Sequence, residues 1–149
     1  MQITAMNKPG GTGFLDDDES QTDIHSARDV LTARQMVRYR AIALGFDSPD
    51  VTLLAAAISE VARNIIDHAR AGVVMMRVVK TGERRGLKII ARDQGPGISD
   101  VTRVTQYGDS ARRGLGVGLP GAKLLVDEFD IVSGAGLGTT VTMTKWAPA

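Results

Sequence analysis

The feature that most constrains the fold is a long helical stripe followed at once by two strand-like runs. Apolar residues recur at three- and four-residue steps at Val51, Leu54, Ile58, Val61, Ile65 and Ala69. That period puts them on one face of an α-helix. The helix is expected to start near Asp50, after Ser48-Pro49, with Asp50 or Ser48 as its cap, and to close at Gly72. Residues 73–80 and 87–92 then read as strands, and residues 81–86 as the hairpin loop between them. Upstream, a helical pattern over residues 27–44 (Val30, Ala33, Val37, Ala41, Leu44) ends at Gly45. Its other face carries Arg28, Arg34, Arg38 and Arg40, as solvated charge or as a docking surface. A short edge strand is expected at 22–25 and a short helix near 100–106. Another helix is expected over 119–128, with Pro120 in its first turn. Strands at 129–133 and 139–145 complete the pattern. This order lacks regular βαβ alternation. It predicts an α+β fold, an α/β sandwich with one mostly antiparallel sheet covered by helices on one face.

The 149 residues suit one domain, expected over 21–149. Residues 1–20 read as a flexible acidic tail: Gly10, Gly11 and Gly13 precede Asp16, Asp17, Asp18 and Glu19. Little there offsets the entropy of ordering. The 18 Lys+Arg nearly balance 17 Asp+Glu, which gives no general attraction to nucleic acid or anionic membrane. Aromatic residues are 4% of the chain, too few for a base-stacking surface. Cysteine is absent, so disulfides and thiolate metal sites are excluded, and His25 and His68 are far apart. No run approaches the roughly 18–20 apolar residues of a membrane span. With no signal-peptide pattern either, a cytoplasmic location is expected.

Three segments carry chemistry. Glu60 and Asn64 stand four apart, one turn along the same helix face, and His68 extends the stripe. The Asn64 amide oxygen suits Mg²⁺, and a carboxylate one turn away can accept a proton from a hydroxyl. Alone, the pair is what a solvent-facing stripe usually carries. After an apolar strand comes the turn Asp93-Gln94-Gly95-Pro96-Gly97-Ile98. A carboxylate at a strand end can accept from an exocyclic amine such as that of adenine, and Gly95 and Gly97 let a ligand approach the backbone. Third is Gly114-Leu115-Gly116-Val117-Gly118-Leu119-Pro120-Gly121. Its glycines free amides to wrap phosphates just before a helix N-terminus, which favours anions. The spacing fits neither the dinucleotide fingerprint nor a phosphate loop ending in Gly-Lys-Ser/Thr.

In this order the segments resemble the Bergerat (GHKL) ATPase group, which includes the gyrase, Hsp90, histidine-kinase and MutL families. Gly138-Thr139-Thr140 is similar to its remaining motif. The resemblance spans about residues 22–146 and implies the Bergerat ATP-binding fold, with Thr139 near the adenine. Residues 57–65, 86–98 and 114–121, with Asp127-Glu128-Phe129, look like the RsbT-type anti-sigma-factor and switch serine/threonine kinases. That likeness implies ATP and Mg²⁺, a STAS-domain protein substrate, and a PP2C-type phosphatase or a sigma factor as further partner. Glu60 would be the catalytic base and Asn64 the metal ligand. Asp93, Gly95, Gly97, Gly114, Gly116, Gly118 and Thr139 would line the nucleotide. Arg112 and Arg113 depart from the Ser/Gly-rich residues of RsbT-like chains and are reminiscent of the phosphate-contacting arginine of related anti-sigma kinases. The expected function is therefore an ATP-dependent protein serine/threonine kinase. Its alternatives are a kinase that also sequesters a sigma factor, and a nucleotide-gated binding module without catalysis.

Overall fold

In the computed structural model of the chain, residues 13–16, 19–97 and 118–148 are described. The elements run β1 (Gly13–Asp16), β2 (Glu19–Ile24), α1 (Ala27–Ala43), α2 (Ser48–Ala69), β3 (Gly72–Thr81), β4 (Arg84–Asp93), α3 (Gly118–Leu125), β5 (Glu128–Gly134) and β6 (Gly138–Trp146). The six strands form one sheet in the order β1-β2-β3-β4-β6-β5, and all five pairings are antiparallel. The expected α+β architecture is present.

The α2 stripe explains the layering. Leu54, Ile58, Val61 and Ile65 are almost fully buried. They share a core with Val74 and Met76 of β3, Leu87, Ile89 and Ala91 of β4, and Val141 and Met143 of β6. Alternate residues of a strand point to opposite faces, so these positions define one face of the sheet. Val30, Ala33, Val37 and Ala41 of α1 and Leu119 and Ala122 of α3 join the same core. Met75 and Ile90, at the alternate positions, form a separate small cluster with Val73 on the other face. Among the described residues no helix is long and apolar enough to cross a membrane.

Several boundaries move. The stretch expected as a tail contains β1 and the first residues of β2. Glu19–Ile24 pairs with β3 from Glu19↔Arg77 to Ile24↔Gly72, and Ser20 is buried. Ladder hydrogen bonds and a helix-facing side order a segment whose composition alone argues against order. The cap of α2 is Asp47: its carboxylate accepts the Asp50 N–H at 3.0 Å, which puts Ser48 and Pro49 inside the first turn. The helix ends at Arg70, in the left-handed region at φ 70, and Gly72 belongs to β3. The 81–86 loop shrinks to Gly82-Glu83, because β3 and β4 stay paired as far as Thr81↔Arg84. Gly82, at φ +61, supplies the positive dihedral that such a tight hairpin needs. The third helix starts at Gly118 and stops at Leu125. Residues 1–12, 17, 18 and the helix expected near 100–106 lie outside the described residues.

Arg40 is a further correction. It is only 6% exposed and does not share the outward face of Arg28. Its Nε donates to Ser20 Oγ at 3.1 Å and its Nη2 to the Glu19 carbonyl at 2.7 Å. Helix periodicity alone does not register that β2 offers acceptors beneath α1. Arg40→Met keeps the aliphatic bulk and loses these bonds. It should lower the unfolding free energy by about 1.5–3 kcal/mol, the scale for hydrogen bonds to charged groups, as read by urea titration of the purified chain.

Candidate active site

Asp93 closes β4 with its side chain on the helix side, 7% exposed. Its Oδ1 accepts the Gly95 N–H at 2.9 Å, which folds the chain back on itself and leaves Oδ2 for another donor. The turn is wedged between neighbours. A Cβ on Gly95 would lie 2.6 Å from the Cβ of Ala69, at the end of α2. Gly97, at φ +82, runs against the carbonyl of Gly134, and the Pro96 carbonyl accepts the Gly136 N–H at 2.6 Å. Gly138, at φ +75, abuts the Asp93 carbonyl. The Asp-x-Gly-x-Gly spacing is therefore a packing requirement: α2, the turn and the β5–β6 hairpin meet at close range.

Thr139 sits opposite Asp93 in the β4–β6 ladder and is 5% exposed. Ser133, its partner on β5, places Oγ 2.7 Å from Thr139 Oγ1 and donates to the Gly138 carbonyl at 3.0 Å. A cleft of about 490 Å³ opens at this end of the sheet, lined by Ala69, Ala71, Gly72, Val73, Arg92, Asp93 and Gln94. A larger groove, about 640 Å³, lies along Thr140, Thr142 and Thr144 on the uncovered face. It contains none of the three motifs, so size does not mark the site.

Glu60 and Asn64 lie further back along α2. Ala69 lies nine residues on from Glu60, about 13.5 Å of helix rise, and Asn64 lies between them, half-buried. Glu60 is not a free solvent carboxylate; its side chain is 14% exposed. Its Oε1 accepts the Gly118 N–H at 3.1 Å and its Oε2 accepts from Arg63 Nη1 at 3.3 Å. Gly118, at φ +55, opens α3, so the carboxylate faces the positive end of that helix. The structure thus brings Asp93, Gly95, Gly97 and Thr139 together at one end, and Glu60 and Gly118 together at the other. His68 is exposed. Arg112, Arg113, Gly114 and Gly116 lie outside the described residues.

Residues 25–145 match the model of the histidine kinase-like ATPase domain. The chain belongs to the histidine kinase-like ATPase family. Over 129 residues it is 46% identical to serine/threonine-protein kinase RsbT of Bacillus subtilis (strain 168), covering 87% of this chain and 97% of that one. This match places it among the RsbT-type kinases, enzymes that use ATP. It is also 28% identical over 120 residues to an anti-sigma F factor of Thermoanaerobacter sp. (strain X514), covering 76% of this chain and 82% of the relative. The crystal structure of the RsbU and RsbW domains of a Mycobacterium tuberculosis protein superposes with a TM-score of 0.55 at 26% identity. That match takes in 87% of the kinase and 33% of the longer chain.

Sequence reasoning missed Ser133, Arg63 and the packing role of Gly138. Arg63 sits one helix turn from Glu60, a spacing that could have flagged it; nothing local marks Ser133, which reaches Thr139 only through strand pairing. Two glycines separate packing from dihedral preference. Gly136 has φ +76 with open space around it, whereas Gly138 has φ +75 with the Asp93 backbone in the way. Gly136→Ala should cost about 1–2 kcal/mol for the left-handed backbone alone. Gly138→Ala should cost clearly more and lower the thermal midpoint further. Equal losses in thermal denaturation would show that the close approach carries no weight.

Proposed function

We propose that this kinase transfers the γ-phosphoryl group of ATP to a serine or threonine hydroxyl of a STAS-domain protein in a sigma-factor or stress-response pathway. The observation that carries this reading is Glu60. It is a carboxylate held near the first turn of α3, one helix turn before Asn64, on the helix whose far end packs against the Asp93 turn. Acceptor, phosphate end and adenine end are then strung along α2 in the order that transfer needs.

The roles follow from the chemistry of each group. Asp93 Oδ2 accepts the adenine amine, and Thr139, steadied by Ser133, lies beside it. Gly118 and the glycines at 114 and 116 offer amides to the phosphates, with Arg112 or Arg113 closing on the γ-phosphate. Glu60 takes the proton of the attacking hydroxyl as its oxygen bonds to the γ-phosphorus and the bond to the bridging oxygen of ADP breaks. Among the described residues there is no group of three or more His, Asp or Glu that could hold a metal. This donor set fits Mg²⁺, which needs few protein ligands when phosphates and waters supply the rest, and Asn64 would hold it through its amide oxygen. Bound there, the ion neutralises phosphate charge.

Docking of the protein substrate is assigned to α1, where Arg34 and Arg38 lie half-buried beside exposed Leu31 and Ile42. A PP2C-type phosphatase or a sigma factor is the further partner, in the cytoplasm. A second reading, a kinase that also sequesters a sigma factor, draws on the likeness to an anti-sigma F factor. Glu60 argues against a module without catalysis, since nucleotide binding alone needs no base beside α3.

Asp93→Asn retains the oxygen that accepts from Gly95 and replaces the other with an amide. The protein should stay folded and bind ATP about 1.5–3 kcal/mol more weakly; undiminished ATP and ADP affinity by calorimetry would put the adenine elsewhere. Glu60→Gln should still bind ATP while transfer falls roughly 100-fold or more. The assay is labelled ATP with Mg²⁺ and candidate STAS proteins, followed by identification of the phosphorylated residue. Normal transfer by this variant would rule out the base.

A further inference from the structure

Both oxygens of the Glu60 carboxylate are occupied. The Gly118 amide holds Oε1 at 3.1 Å and Arg63 holds Oε2 at 3.3 Å. The two donors differ in kind. Gly118 presents a helix-opening N–H, which has no partner within the helix and suits any anion. Arg63 comes from α2 itself, three residues on, and its side chain is 52% exposed while that of Glu60 is 14% exposed. A backbone N–H points one way, so it cannot serve the carboxylate and a phosphate oxygen together. The guanidinium carries several donors and can keep its grip while the other side of the carboxylate changes partner.

We infer that Arg63 is a positioning residue for Glu60, and that the Gly118 amide parks the carboxylate until a phosphate at the first turn of α3 takes that amide away. The inference rests on the proposed function, in which Glu60 is the base and α3 receives the phosphates. Phosphate carries more charge than the carboxylate and draws on the same helix end. Its arrival frees Oε1 towards the incoming hydroxyl while Arg63 fixes the carboxylate plane through Oε2. An adenine without phosphates leaves the parked arrangement intact. The base is then available only when the donor is in place.

The test follows the Gly118 amide by nuclear magnetic resonance in the full chain, alongside transfer kinetics. In the ligand-free protein, Glu60→Gln should move the Gly118 resonance. In the wild type, saturating adenosine should leave it in place and a non-transferable ATP analogue should move it. Arg63→Gln should lower kcat about two- to five-fold, the range of a partly exposed ion pair, with KM for ATP unchanged. Arg63→Lys, which keeps the charge, should recover most of that loss. A Gly118 resonance indifferent to Glu60→Gln, in a variant that has lost transfer, overturns this inference and leaves the base assignment standing. So does Arg63→Gln transferring at the wild-type rate. Normal transfer by Glu60→Gln removes the base itself, and this inference with it.

Discussion

The molecule is organised by the contact of one helix with one face of one sheet. Because Leu54, Ile58, Val61 and Ile65 must all lie on the strands, α2 has no freedom to rotate about its axis. Its rotation then decides where every polar side chain goes. Glu60 is turned towards α3, Ile65 towards Gly72 beside Asp93, and Ala69 onto Gly95. A quarter turn would bury Glu60 without a partner or lift Ile65 out of the core, and both are unfavourable by several kcal/mol. The hydrophobic core and the placement of the polar groups are one problem with one solution.

Much of this was legible in the sequence, for reasons tied to particular residues. The three-and-four spacing in α2 survives any tertiary context, because a helix that long must bury its stripe. The Asp93 turn was legible because glycines at fixed offsets after an apolar strand have few explanations. Less visible were the features that depend on what lies across the sheet. Ser20 and the Glu19 carbonyl come under α1 only through β2–β3 pairing, so Arg40 looked like surface charge. β1 and the first residues of β2 looked like a tail because acidic, glycine-rich composition says nothing about ladder hydrogen bonds. Caps moved by one to three residues for a related reason: Asp47, Ser48 and Asp50 are all competent, and only backbone geometry chooses among them.

The site also shows why glycine at a fixed spacing has two separable causes. Gly97 and Gly138 are required by neighbours: each has positive φ and a carbonyl in the space a side chain would take. Gly118 is placed where a helix begins and where Glu60 already binds. The first kind holds neighbouring segments together, and the second, under the proposed function, would face the phosphates. Substitutions at the two kinds should then act on different quantities, stability in one case and ligand chemistry in the other.

The sheet consists of three hairpins, β1–β2, β3–β4 and β5–β6, each joined by a short connection. They meet along two seams, β2 against β3 and β4 against β6, between residues far apart in sequence. Hairpins with local contacts close quickly, whereas seams wait for long loops to close. Asp93 and Thr139 stand on opposite sides of the second seam. A nucleotide that touches both, as proposed, would act as a rivet across a long-range join, so the ligand that gives this chain its chemistry would also resist the unzipping of its sheet.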